Sequence, residues 1–425
     1  MDLYQFSNSS SYRWIILCIS FLLMVIVNGM TFGGPTVFDD IFLNTLKTAS
    51  GDSITRGELK FRETIMIWSA AGFGFLSGVY ADRYGVKPII ILGLSLMTVI
   101  YYLFSGVENI NQIYWIYLGF GPCLIFVGSL VNVILISKWF IRNRALGLGI
   151  MASGSSIGSA ILSPMYAWML NFMEWREILF WNTMIPMIMI LVVVLLLKEQ
   201  PTNQNEQNNI SKQKGEKVQG VLFTEAIRTT NLWLIILMAM CIFYSMMGIT
   251  TNAFLFLKDS GFNTQVASIS ATLIFLGSLI GKVSCGFFAE YLGRKKVLLV
   301  YFSLLIIGAV LLTLATENKD PLFIWFGLGT FGLGFGGIYT LKQLLSADLF
   351  GLRSLGKITG LINFTDTIGA GLGPVLTGVF FDQTGSYQYS FLIITVITII
   401  GMIFASFLTI NDQEIEFSKR KLTQC

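Results

Sequence analysis

Residues 78–88 read GVYADRYGVKP and residues 286–296 read GFFAEYLGRKK. In each stretch a glycine is followed four residues on by an acid, Asp82 or Glu290, then by a second glycine, Gly85 or Gly293, and by basic residues that include Arg83 and Arg294. A second pair follows downstream of each copy: FIRNRALGLG at 140–149, with Arg142, and FGLRSLGKITG at 350–360, with Arg353. Motifs that recur once in each half of a 425-residue chain mark an internal duplication. Both lie between long apolar runs.

Those runs set the solvent. The chain is 54% hydrophobic and 12% charged with a mean hydropathy of +0.71, whereas a soluble domain carries about 25% charged residues. Stretches long enough to cross about 30 Å of hydrocarbon recur almost throughout. Read between polar punctuation, they predict twelve spans: 14–38, 64–81, 88–105, 112–137, 144–170, 179–197, 230–257, 264–289, 297–315, 321–346, 356–381 and 387–410. The polar interval 199–228, rich in Asn, Gln and Lys, reads as a flexible tether. The expected organisation is a six-helix bundle at 1–198, a linker at 199–228 and a second six-helix bundle with a short tail at 229–425.

If the amino terminus is cytoplasmic, the inner segments collect Arg83 and Lys87, Lys138, Arg142 and Arg144, the tether lysines, Arg294 to Lys296, and Arg353 and Lys357. The outer segments hold only Lys47, Arg56, Lys60, Arg62, Arg176, Lys258 and Lys319. That bias puts both termini on the cytoplasmic side. The first apolar segment runs on through Asn28, Gly29 and a Gly-Gly-Pro turn at 33–35, so it reads as a retained helix rather than a signal peptide. Short tails and loops point to a bacterial inner membrane.

Several classes are excluded. A formal charge of +4, scattered over short loops, is no footprint for nucleic acid. Five cysteines stand far apart with no CxxC spacing, and there is no histidine, so neither a metal site nor a cofactor is expected. No HExxH motif is present, and no catalytic residue or enzymatic activity is assigned. Any proton carried must ride on a carboxylate.

The repeated loop motif resembles the signature of the major facilitator superfamily, and the resemblance covers essentially the whole chain. It implies an all-α membrane protein, with twelve transmembrane helices in two pseudo-symmetric six-helix bundles around a central cavity. It also implies alternating access, with Asp82, Arg83, Glu290, Arg294, Arg142 and Arg353 as gating residues. The alternative for these charges is a static loop ion pair. KWFIRNRALGLG at 138–149 and EAIRTTNLW at 225–233 are similar to motifs of monocarboxylate porters and oxalate/formate antiporters. These porters carry a basic residue in helix eight, four residues before the signature glycine, where Lys282 stands. It is Lys and not Arg here, which forgoes bidentate carboxylate binding.

Away from the ends of the expected spans three charges remain: Lys282, Lys342 and Asp366. A central ionisable group costs about 2.5–3.5 kcal/mol or more, so each is expected to face protein or a water-filled cavity. Counted from their helix ends they share one depth, roughly 9–13 Å in at 1.5 Å per residue. Spans three, six, nine and twelve, which the resemblance implies are peripheral helices in lipid, carry no charge. The reading is a secondary transporter for a small organic anion, a monocarboxylate with a proton as coupling ion, functional as a monomer. Lys282 and Lys342 are its substrate cations and Asp366 its proton site, with hydrogen bonds from Asn132, Asn28, Tyr244 and Asn363. The rival readings are a structural ion pair at the same residues, and a transporter of a neutral or amphipathic solute with these charges as a gate.

Overall fold

The computed structural model describes residues 3–48, 50–140, 144–199, 220–351 and 353–409. Among them the only β pairings are isolated bridges such as Gly220 with Gly351. Backbone in hydrocarbon must satisfy its own hydrogen bonds, and long apolar runs do so as helices. Among the described residues, eleven stretches are long and apolar enough to cross a membrane.

The first span is composite: α1 (Leu3–Asn28), a π-helical turn (Gly29–Gly33), a 3-10 turn (Pro35–Phe38) and α2 (Asp39–Thr45). Then come α3 (Arg56–Tyr84) and α4 (Val86–Ser105), followed by α5 (Ile110–Phe126) and α6 (Ser129–Trp139), which form one span broken at Gly128. α7 (Arg144–Met169) precedes α8 (Trp175–Trp181) and α9 (Met184–Leu196), which share a span. The second half begins with the short α10 (Phe223–Ala226). It continues with α11 (Thr230–Asp259), α12 (Thr264–Leu292), α13 (Arg294–Asn318), α14 (Pro321–Phe350), α15 (Leu355–Thr384) and α16 (Gln388–Ser406).

α3 begins earlier than the span expected from sequence. Its 29 residues span about 43 Å, but its first two turns read RGELKFRE. The sequence expectation of a span at 64–81 left those charges in a loop; the structure makes them helix. A capping box starts it: the Thr55 N–H donates to Glu58 Oε2 at 2.9 Å, and the Glu58 N–H donates to Thr55 Oγ1 at 3.2 Å.

Two compact units result, Met1–Glu216 with Ala253–Thr272, and Lys217–Asn252 with Leu273–Cys425. Each repeats the same packing device. In the first, a Cβ on Gly154 or Gly158 of α7 would meet the carbonyl oxygen of Phe21 or Val25, four residues apart on α1. In the second, a Cβ on Gly369 or Gly373 of α15 would meet the carbonyl oxygen of Met240 or Tyr244, four apart on α11. Small residues let backbones touch where no hydrophobic force drives helices together.

The signature glycines work differently. Gly85 and Gly293 precede α4 and α13 with φ of 90° and 83°. That left-handed backbone turns the chain between helices and admits glycine at no steric cost. Gly286, at the start of the second motif, has open space where a Cβ would stand. The close approaches on α12 come earlier, at Gly277 and Gly281 against Gly329 and Leu333 of α14.

Candidate functional site

The three charges expected inside the membrane converge in the second unit. On α14, Phe335, Tyr339 and Lys342 stand at i, i+4 and i+7, one face of the helix. Lys342 Nζ donates to Asp366 Oδ2 of α15 at 2.5 Å and to Asn363 Oδ1 at 3.3 Å. Both members of the ion pair are buried, at 3% and 4% exposure. Lys342 Nζ also lies 4.7 Å from the Phe243 ring centroid and 5.6 Å from that of Tyr339. Lys282 of α12 reaches the same Tyr339 ring at 5.4 Å. Phe243, Phe335 and Tyr339 pack against one another with centroids 5.8–6.2 Å apart. The result is two lysines and one acid around an aromatic wall.

The other expected hydrogen-bonding residues serve their own helices. The Asn132 amide donates to the Val127 and Gly128 carbonyls at 2.7 and 2.8 Å, repairing the break between α5 and α6. The Asn28 amide donates to Met24 O at 3.0 Å, just before the π-turn. Tyr244 is buried with its carbonyl against Gly373.

At the signature loops Arg294 pairs with Asp348, at the far end of α14. Glu290 and Arg353 are exposed, and the Arg83 guanidinium lies 5.2 Å from the Tyr84 ring centroid. The acid at the start of α4 is Glu199, whose Oε1 accepts from the Lys87 N–H at 2.7 Å. Arg142 and the Asp82 side chain lie outside the described residues. GSSIG at 154–158 has the G-x-S-x-G spacing of a nucleophile elbow. It lies in the middle of α7 instead of at a strand-to-helix turn, and its glycines are those pressed on α1.

Four further charges were expected elsewhere. Lys60 and Arg62 were placed in an outer loop, and Asp366 was taken as the only acid well inside. The structure buries Asp39, Lys60, Arg62 and Glu63 in the first unit at 0–3% exposure. Asp39 accepts from Lys60 through one oxygen and from Arg62 through the other. Glu63 Oε1 accepts from Arg62 at 3.0 and 3.1 Å. The guanidinium also lies 4.9 Å from the Tyr117 ring centroid and 5.5 Å from that of Phe42. Two acids balance two bases, as burial in low dielectric requires. The signals in sequence were the T-x-x-E capping box, which makes 55–63 helical, and the acid pair Asp39-Asp40 ending an otherwise apolar run.

Beside this cluster, the end of α11 packs within the first unit. Arg56 donates two hydrogen bonds to the Asp259 carboxylate at 2.5 and 2.8 Å, and Lys258 lies 3.4 Å from Asp40. The Ser163 hydroxyl donates to Ser268 O at 3.1 Å and that of Thr272 to Ala160 O at 2.6 Å.

A helical membrane fold with paired glycine-packed helices and charges inside its spans defines a polytopic carrier-like protein. The family model of the Major Facilitator Superfamily matches residues 17–363 and, again, 264–422. The chain belongs to that superfamily. It is 25% identical over 346 residues to the hexuronate transporter of Bacillus subtilis (strain 168), covering 76% of this chain and 78% of that protein. Over 359 residues it is 23% identical to monocarboxylate transporter 2 of Homo sapiens, covering 80% and 74%. A crystal structure of the nucleoside transporter NupG, in a mutant form, shares the fold with a TM-score of 0.73 at 13% identity, over 94% of this chain and 100% of that one.

Proposed function

We propose that this chain is a secondary transporter of a small organic anion, a monocarboxylate, which works by alternating access and carries a proton with its substrate. The observation that carries the reading is the Lys342–Asp366 pair, with Lys282 against the same Tyr339 ring. With Asp366 ionised, the formal charge of Lys282, Lys342 and Asp366 is +1. A proton on Asp366 raises it to +2 and releases Lys342, so proton and anion favour each other's binding. The aromatic wall suits the organic part of such a substrate. The hexuronate and monocarboxylate transporters it resembles are named for carboxylated substrates, which supports the anion.

The remaining parts of the proposal follow from charge placement. Basic residues crowd the signature end, which puts that end and both termini in the cytoplasm of a bacterial cell. Asp82, Arg83, Arg142, Glu290, Arg294 and Arg353 gate there, and the protein acts as a monomer. A rival reading has one observation in its favour: the buried pair satisfies itself, as a purely structural pair in a carrier of neutral solutes would. The test is a thermal-shift screen of purified protein against carboxylates of increasing length and charge, with neutral analogues beside them. A ligand that binds only the folded state raises apparent stability. Stabilisation by monocarboxylates and not by their amides is expected; the reverse pattern would retire the anion reading.

A further inference from the structure

The buried cluster of the first unit shares no residue with the Lys342–Asp366 site and has no part in the function proposed above. Its two acids are not equivalent. Both Asp39 oxygens accept from cations, Lys60 on one side and Arg62 on the other, and charge-assisted bonds of that kind hold a carboxylate ionised. Glu63 is bonded through Oε1 alone. Its Oε2 is buried and has no hydrogen-bond partner, and Arg62 Nη1 is a buried donor in the same condition. Buried polar atoms are nearly always satisfied, and an exception asks for a reason. A carboxylate oxygen that is both buried and unbonded bears the full cost of desolvating its share of the charge. A proton placed there breaks no existing bond.

We propose that Glu63 is a second proton-binding site of this protein, separate from Asp366 and at the opposite end of α3 from the signature loop. From Glu63 to Asp82 is about 28 Å along the helix axis. The titratable groups that face it are Asp39 from the first span, Lys60 and Arg62 from its own helix, and Tyr114 and Tyr117 from α5. With Glu63 ionised the four charges cancel; with Glu63 protonated the cluster carries one surplus positive charge.

Infrared difference spectra of the full-length protein in lipid, acidified against neutral, test this without any substrate, so the outcome is independent of the anion reading. A carboxylic acid in a low-dielectric site gives a C=O stretch apart from that of solvated acids. Besides any band lost in Asp366→Asn, we expect one further such band, worth one carboxyl per protein, that disappears in Glu63→Gln and persists in Asp366→Asn. Glu63→Asp keeps the acid in a different position and should shift the band, which decides the matter even if the glutamine variant fails to fold. An unchanged band in Glu63→Asp, or no low-dielectric carboxyl band in the wild type beyond the one lost in Asp366→Asn, would show a static ion cluster and overturn the proposal.

Discussion

Asp366 and Asp39 are both buried acids bonded to lysine, yet their surroundings differ in what they leave available. Asp39 has an arginine on its second oxygen, whereas Asp366 shares its lysine with Asn363 and two rings. Removing one member of a buried pair strands the other and costs about 3–5 kcal/mol. Asp366→Asn should therefore destabilise the protein, and on the coupling reading a carboxylate substrate takes the vacated place on Lys342 and restores much of the loss. Thermal shifts of this variant with and without anion measure it. The same variant should exchange substrate but fail to accumulate it from a pH gradient. Lys282→Gln keeps length and hydrogen bonding without the charge, and is expected to abolish anion-induced stabilisation while the apo protein melts near wild type. If Lys342 and Asp366 form only a structural pair, the double variant Lys342→Gln/Asp366→Asn will recover both stability and uptake.

At the scale of the helix, the glycines separate into two classes that sequence alone treats alike. A Cβ at Gly158 would stand 2.1 Å from the Val25 carbonyl oxygen, and one at Gly373 would stand 2.3 Å from that of Tyr244. Gly149 and Gly360, in the same helices α7 and α15, have nothing within 4 Å. Gly158→Ala and Gly373→Ala should each cost about 1–3 kcal/mol through forced separation of the helices. Gly149→Ala and Gly360→Ala should leave thermal stability unchanged or slightly raised, because alanine favours helix. Melting curves of the four variants decide it; equal effects would mean that the 154–158 and 369–373 contacts do not hold α7 on α1 and α15 on α11. The start of α3 makes a smaller prediction. Thr55→Ala removes one side of the capping box and should cost about 1 kcal/mol, read as faster amide exchange over residues 56–60.

Across the molecule the charges fall at two ends of the helices, and each end gives an expectation. A cysteine at Ser50 should react with an impermeant reagent from outside intact cells, and one at the exposed Thr224 of α10 should not. Reversed reactivity would overturn the proposed orientation. The Arg56–Asp259 pair is partly exposed, at 14% and 38%, and such pairs contribute about 1 kcal/mol or less. Arg56→Gln should therefore shift the conformational balance by no more than about fivefold toward states in which Ser163 and Ser268 separate. Labelling of a cysteine at Ser268, which is fully buried, reports that shift. The charge-reversed double variant Arg56→Asp/Asp259→Arg should return it to wild type.

The helical membrane fold was legible in the sequence because hydrocarbon permits so few backbone structures: long apolar runs become helices, and a motif repeated in each half implies repeated packing. The convergence of Lys342 and Asp366 was legible too, since shared depth on helices that avoid lipid leaves charges little to meet except one another. Apolarity misjudged the charged start of α3. A window of hydropathy sees RGELKFRE as a loop, while the folded protein supplies Asp39 from 17 residues upstream of Arg56 and closes a neutral cluster around it. Which glycines touch a neighbouring backbone, and which asparagine mends its own broken helix, were likewise settled only by tertiary structure. Sequence gives a residue's kind and its helical face, but the partner that satisfies a buried polar group, or fills the space beside a glycine, arrives from another part of the chain.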